Sequence, residues 1–375
     1  MVFLTEKPVS RINSFYQWIS VRRMTSDRKI NQNDLRSFSE QAFQAVGVSQ
    51  EDSQTAADVM IEANLCGVDS HGVRMLPGYV TLIRNGKINP KGTIRVLKET
   101  PVIAKLDGDL VLGGVIGVRA MKMAVEKATV SGVGFILVHN STHWGRPAYY
   151  PALAARKGCI GICFTNTESN MPPWGAKDAR LGNNPFCIGA PRASGIPVIL
   201  DMAMSQAAWG KIIMYHREGR KVPDGWGLDE MGRPTNEPEE IIRSKHILPM
   251  GQHKGAGLSL MIDIMTGILA GAKFGAALSE EGKEQPWATA YSQVYMAIDI
   301  AAFTSLDKFQ EQVDAFVEYV KTAECIESIN EVTVPGERAA KERDRRLNEG
   351  IPIDRITYDQ LQKLAETLGI TLKRV

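Results

Sequence analysis

Residues 132–140 read GVGFILVHN, a short apolar run closed by glycine on one side and by His139 and Asn140 on the other. Successive strand residues point to opposite faces, so a run apolar at both alternations needs cover on both faces. A sheet lying between helices supplies that cover. Three further stretches have the same character: GCIGICFTN at 158–166, NPFCIGAP at 184–191 and IPVILDMA at 196–203, each punctuated by Gly, Pro or Asn. Helical spacing lies between them, over 119–130 and 149–157, and QVYMAIDI at 293–300 has the period of one more strand. The segment 254–272 reads as a long apolar helix opening on glycines. The middle of the chain, 99–303, is therefore expected to be a mixed α/β sheet domain.

The flanks differ. Over 33–83 apolar residues recur at helical intervals (Leu35, Phe38, Phe43, Val46, then Ala56, Val59, Met60), with Ser and Asp placed to cap. Charged helical patterns return over 306–323 and 337–350. Residues 29–98 and 304–375 are thus expected to form a second, helical domain from both chain ends. Residues 1–28, basic at Arg11, Arg22 and Arg23 and with a second methionine at 24, are expected to be a disordered extension.

Composition narrows the function classes. The chain of 375 residues carries 44 basic and 42 acidic side chains, scattered, which leaves no electrostatic footprint for nucleic acid. Its longest apolar stretch, 258–272, is broken by Asp263 and falls short of the roughly 20 residues that span a bilayer. No membrane partner is expected. Five cysteines without a C-x-x-C pair suit a reducing, cytoplasmic setting rather than a disulfide framework.

Three of the six histidines sit in unusual surroundings: His71 in DSHGV, His143 in NSTHWGR and His253 in GQHKGAG. Small and hydroxylic neighbours leave room for a ligand beside an imidazole that titrates near neutrality. His139 and His143 are four apart, but they follow a strand and have no acidic residue between them, so the H-E-x-x-H metal logic fails and no metal is expected. No G-x-S-x-G, G-x-G-x-x-G or P-loop sequence occurs, which sets aside the serine-hydrolase elbow, the Rossmann fingerprint and the Walker site. GQHKGAG remains. Lys254 and Gly255 at a helix start could gather backbone N–H groups and an ammonium around a phosphate, or the glycines could serve close helix packing. Asp201, between a strand and a helix, reads at first sight as an N-cap.

Taken together, DSHGV…LPGYV…NGKINP, NSTHWGRPAYY, CFTNTESNMPPWGAKDARLGNNPF, LDMAMS, QHKGAGLSL and VPGERAAKERDRRLNEGIP resemble the malate/L-lactate dehydrogenase family that lacks a Rossmann fold, over about 30–360. Within that family the 2,3-diketo-L-gulonate reductases look nearest, through HWGR, CFTNT and MPPWGAK; ureidoglycolate and sulfolactate dehydrogenases belong to it too. The resemblance implies an α/β, non-Rossmann cofactor-binding domain, a homodimer, and NAD- or NADP-dependent interconversion of a small 2-oxo acid and its 2-hydroxy acid. It implies His71 as proton donor, His143 as a second acid/base, and Ser70 and Arg146 at the substrate. It places cofactor contacts at Thr167, at Asp201, Met202 and Ala203, at His253 and Lys254, and at Gly336, Glu337 and Arg338. Many relatives carry an arginine four residues after the first histidine. Here that position is Met75 and the arginine is Arg74, which becomes the substituted candidate for the substrate carboxylate. Cyclic imine reductases of the same family, acting on piperideine- or pyrroline-2-carboxylate, are the alternative.

Overall fold

A computed structural model describes residues 28–278, 290–327 and 329–373. The expected extension therefore falls outside the described residues except for Arg28, which already pairs as a strand residue with Ile353. Seven strands build the central sheet: β1 (Arg95–Glu99), β2 (Ile103–Asp107), β3 (Val133–Ser141), β4 (Cys159–Thr165), β5 (Phe186–Ala190), β6 (Val198–Met202) and β7 (Tyr291–Asp299). They lie in the order β1-β2-β3-β7-β4-β5-β6, with β2 and β3 parallel and every other neighbour antiparallel. The helices are α1 (Gln32–Gln44), α2 (Gln50–Leu65), α3 (Leu76–Arg84), α4 (Gly113–Ser131), α5 (Tyr149–Ala155), α6 (Trp209–Arg217), α7 (Pro238–Ser244), α8 (His253–Asp263), α9 (Leu306–Lys321), α10 (Glu337–Glu349) and α11 (Arg355–Leu368).

The run at 132–140 explains itself in β3. Ile136 and Val138 turn to one face and pack with Ile116, Met121 and Ala124 of α4. Leu137 turns to the other, with Val294 of β7 and Ala256 and Ile262 of α8. Gly134 lets α4 approach, because a Cβ there would overlap the Ala124 carbonyl.

A separate core gathers α1, α2 and α3 with α11: Phe38, Phe43, Leu65, Leu76 and Leu82 meet Ile351, Ile353, Leu361 and Leu364. Arg28–Ile30 pairs antiparallel with Ile351–Ile353 and closes it. Asn31, Ser49 and Asp354 cap α1, α2 and α11 through side-chain oxygens. Two boundaries depart from the expected division at 98/99 and 303/304. The sheet starts at Arg95, since β1 pairs with β2. Helix α9 leans on the sheet side, where Leu306 meets Gly158 and Arg192 pairs with Asp314.

Two features had no counterpart in the sequence reading. Ala207, Ile212, Val222, Trp226, Ile241 and Ile247 form a small third core, joining α6 and α7 to three two-residue strands. The expected helix 254–272 is α8 followed by a π-helical turn, Ile264–Ile268. It is apolar all round because one side packs on the sheet while Leu258, Leu260, Met261, Ile268 and Leu269 stay exposed.

Candidate active site

His71 ends a short 3-10 turn, Asp69–His71, and a second one, Val73–Met75, follows immediately. A hydrogen-bond network anchored by the buried Arg346 and Asn64 sets the first turn. Arg346 of α10 holds both oxygens of Asp69 at 2.6 and 3.0 Å and donates to the Asn64 carbonyl at 2.7 Å. The Asn64 amide donates to Asp69 and accepts from the Val73 N–H. Gly72 sits directly over Asn64, and any Cβ there would overlap that amide. So the histidine is carried by a fixed turn rather than a loose loop, and α10, from the far end of the chain, does the fixing.

His143 follows β3 and faces His71, with ring centroids 5.6 Å apart. Its Nδ1 is approached by the Tyr79 hydroxyl at 2.7 Å and by the Gly145 N–H at 3.3 Å. The Gly145 group can only donate, so Nδ1 must accept and the proton of neutral His143 sits on Nε2. Burial raises the Tyr79 phenol above its usual pKa, which keeps it a donor. On His71, Ser70 Oγ lies 2.9 Å from Nδ1, leaving Nε2 as the nitrogen for proton exchange with a ligand. Phe43, Val59, Met60, Leu112 and Trp144 wall the small cavity that both imidazoles line. Burial, then the nearby Arg146, lowers the His71 pKa to about 4; burial, then His71, lowers that of His143 to about 3. Both rings are neutral at pH 7.

Arg146 is 8% exposed, and its Nε has no hydrogen-bond partner. Its nearest acid is Asp201, a loose pair at 3.8 Å. Asp201 is not an N-cap: it lies within β6 and accepts from the Ala148 N–H at 3.2 Å, beside Arg146. Met75 is buried in the helical core, with the Tyr79 hydroxyl 3.9 Å from its sulfur, whereas Arg74 is exposed. Tyr79, in the quoted LPGYV, was given no role by the sequence reading; its place eight residues after His71 puts it on the helix that follows.

The cofactor candidates form two groups. In the first, Thr167 bonds to Asn183 and Asn184, and the Asn184 amide donates to Ser259 and Asp263 of α8. The end of β6, at Met202, and the following Ala203 run into Met204, whose carbonyl accepts from the Met250 N–H just before His253 and Lys254. In the second, the Pro335 carbonyl accepts from the Ile199 N–H, which sets Gly336, Glu337 and Arg338 against β6. There Glu337 pairs with Lys321 while Arg338 is exposed. A cleft of about 510 Å³ runs from Gly336 and Ile199 past Arg192 and Tyr149 to Arg146.

Gly255 is a packing residue, its Cβ position filled by the Met250 and Met204 carbonyls, while Gly257 has nothing within 4 Å. The expected convergence of free amides is smaller than foreseen, because the N–H groups of Lys254, Gly255 and Ala256 already donate to Gly251, Met250 and Gln252. The Lys254 side chain is exposed and without an ion-pair partner among the described residues.

Residues 30–362 match the malate/L-lactate dehydrogenase family. The chain belongs to that family. It is 36% identical to the malate dehydrogenase of Pyrococcus horikoshii, over 91% of this chain and 96% of the relative. It is 30% identical to the 2,3-diketo-L-gulonate reductase of Mannheimia succiniciproducens, over 90% and 100%, so the details that pointed to the reductases do not extend to overall identity. Among solved structures, malate dehydrogenase from Entamoeba histolytica superposes with a TM-score of 0.89 at 29% identity, covering 93% of this chain and all of that one. A delta1-piperideine-2-carboxylate reductase from Pseudomonas syringae does so at 0.80 and 27%, covering 90% of this chain and all of that one. Membership makes this dehydrogenase-family chain an oxidoreductase of hydroxy or oxo acids. No helix among the described residues is long and apolar enough to cross a membrane.

Proposed function

We propose that the protein interconverts a small 2-oxo acid and its 2-hydroxy acid with NAD or NADP, and that His71 exchanges the proton. The observation that carries the reading is Arg146: a buried guanidinium with an unbonded Nε, close enough to His71 to lower its pKa. Leaving buried donors unpaired is costly, so the arrangement favours an anion that arrives with the substrate, and a carboxylate suits a guanidinium fork. Arg146 then orients the acid. Nε2–H of His143, its tautomer set by Tyr79 and Gly145, hydrogen-bonds and polarises the oxo group. Neutral His71 is ready to take a proton in the oxidising direction. In the reducing direction, a carboxylate on Arg146 offsets the charge that adds to burial in depressing His71, and so raises its proton affinity as an alkoxide develops. The apolar walls exclude water from the exchange.

Residues present suit a dinucleotide: the open face of Gly257 beside Lys254, the polar Thr167 loop, and the turn at Gly336 to Arg338 along the cleft. The bound nicotinamide supplies or accepts the hydride. Lys254 and Arg338 would hold phosphates; Asp201, Met202 and Ala203 would flank the cofactor at the end of β6. The exposed apolar side of α8 supports the further proposal that two copies pair, checked by light scattering, where a monomer would overturn it.

The test is a substrate panel (pyruvate, oxaloacetate, sulfopyruvate, diketogulonate, piperideine- and pyrroline-2-carboxylate) with NADH and NADPH, read as loss of nicotinamide absorbance. Turnover of an oxo acid, with kcat about 10²- to 10⁴-fold lower in His71→Asn, supports the reading. Turnover of the imines alone would replace it with the reductase activity for which the Pseudomonas syringae structure is named.

A further inference from the structure

Residue 144, which directly follows His143, is gripped twice by one neighbour. Tyr150 of α5 stacks its ring on Trp144, centroids 5.5 Å apart, and its hydroxyl donates to the Trp144 carbonyl. Both residues are buried, and burial raises the Tyr150 phenol well above its usual pKa, so its proton stays in place to be donated. Tyr295 of β7 closes the cluster edge-on to Tyr150, with 5.2 Å between centroids, while its own hydroxyl goes elsewhere, to Gln293. Room for the two phenols comes from Gly117 of α4, where a Cβ would fall 2.6 Å from atoms of both.

The grip reaches His143 through a peptide plane. The Trp144 carbonyl and the Gly145 N–H belong to one planar trans unit, so they point in opposite directions. Holding the carbonyl on Tyr150 aims the N–H the other way, and the group it meets is His143 Nδ1, at 3.3 Å. Backbone preference does not fix that plane. Gly145 has φ +75°, and glycine takes positive and negative φ about equally well, so the unit could turn over at small conformational cost. Turned over, it would present the carbonyl to Nδ1 and favour a proton there, which takes the donor away from Nε2. Tyr79 alone does not force the choice, since a neutral phenol serves a ring nitrogen either as donor or as acceptor.

We propose that Tyr150 is a positioning residue for His143: its hydroxyl locks the 144–145 peptide, and with it the tautomer that carries the proton on Nε2. The use of that N–H rests on the reading of His143 as the group that polarises the oxo oxygen; the lock rests on the geometry of the chain. Phenylalanine at 150 would satisfy the packing with Trp144 and Tyr295, but only the hydroxyl reaches the carbonyl.

The measurement is the tautomer itself. Full-length protein carrying ¹⁵N-histidine gives separate signals for protonated and bare ring nitrogens in long-range ¹H–¹⁵N spectra at pH 7.5, and His143 is assigned by its loss in His143→Asn. Wild type should carry the proton on Nε2. Tyr150→Phe keeps the ring and its stacking but releases the carbonyl, and both His143 nitrogens should shift toward the averaged positions of mixed tautomers. Tyr295→Phe loses a buried hydroxyl from the same cluster without touching Trp144, so it should lower the melting temperature to a similar extent and keep the wild-type tautomer. A merely structural Tyr150 would behave as Tyr295 does, with a lower melting temperature and unmoved His143 signals. That result would overturn the proposal, as would a wild type with its proton on Nδ1, which needs no variant to fold. In turnover, Tyr150→Phe should lower kcat for the accepted oxo acid about 10-fold with KM nearly unchanged, because Arg146 still holds the carboxylate. A shifted tautomer with unaltered kcat would uphold the lock and sink only the part given to His143 in the reaction.

Discussion

The two depressed histidines link the active site to acid stability. In the unfolded chain each imidazole titrates near 6.5; in the folded one His71 titrates at about 4 and His143 at about 3. The unfolded state therefore binds protons first as pH falls, and folding stability is lost from about pH 6.5 downward. The loss for one group is RT ln[(1 + 10^(6.5−pH))/(1 + 10^(pKa−pH))], which at pH 5.5 is about 1.4 kcal/mol for either histidine and about 2.8 kcal/mol for the pair. At pH 7.5 it is close to zero. The perturbation is the double variant His71→Asn, His143→Asn, whose side chains do not titrate. Urea unfolding followed by tryptophan fluorescence at pH 7.5, 6.5 and 5.5 should show wild-type stability falling relative to the variant by that amount. Carboxylates common to both proteins cancel in the difference. A wild-type-minus-variant difference that stays constant from pH 7.5 to 5.5 would refute the neutral, buried histidine pair and the proton chemistry built on it.

Tyr79→Phe removes one of two donors that set the His143 tautomer, and kcat should fall about 10-fold, in line with a buried hydrogen bond of 1–2 kcal/mol, with the fold intact by circular dichroism. Arg146→Met should raise KM for the oxo acid about 100-fold by removing a charge-assisted contact, and should move the His71 resonance in an NMR titration to a higher pKa, because the positive neighbour is gone. Gly72→Ala should cost about 2–4 kcal/mol in chemical denaturation through overlap with Asn64. Gly257→Ala, inside α8 with nothing within 4 Å, should raise stability by about 0.5–1 kcal/mol while weakening dinucleotide affinity in calorimetry.

The sheet was legible because burial on both faces writes itself into consecutive residues, as in Phe135 to Val138. Helix capping was legible for the same local reason over 33–83, where Ser49 caps α2. What escaped was set by distant partners. Nothing near Arg346 announces that it will hold Asp69, some 277 positions away. Nothing in WGKIIMYHREG shows that α6 will lie on Ser70. Sequence order also hid the edge strand β1: RVLKE is exposed along its length and lacks the apolar signature used to find its neighbours. The histidines and Arg146 were named from family resemblance, and their assembly required the fold. The split of Arg74 from Met75 needed knowledge of which side faces the core.

The placement of β7 has a consequence for biogenesis. It occupies the middle of the sheet, bonded to β3 on one side and β4 on the other, yet it lies at residues 291–299, more than a hundred positions after both. A nascent chain that has emerged only as far as β6 holds two half-sheets, each with an open hydrogen-bonding edge where the seam will be. Those edges are sticky until the last strand arrives. The domain is thus committed to completing its fold late in synthesis, and a truncated or stalled product would meet cellular quality control as a pair of unsealed edges rather than as a smaller stable protein.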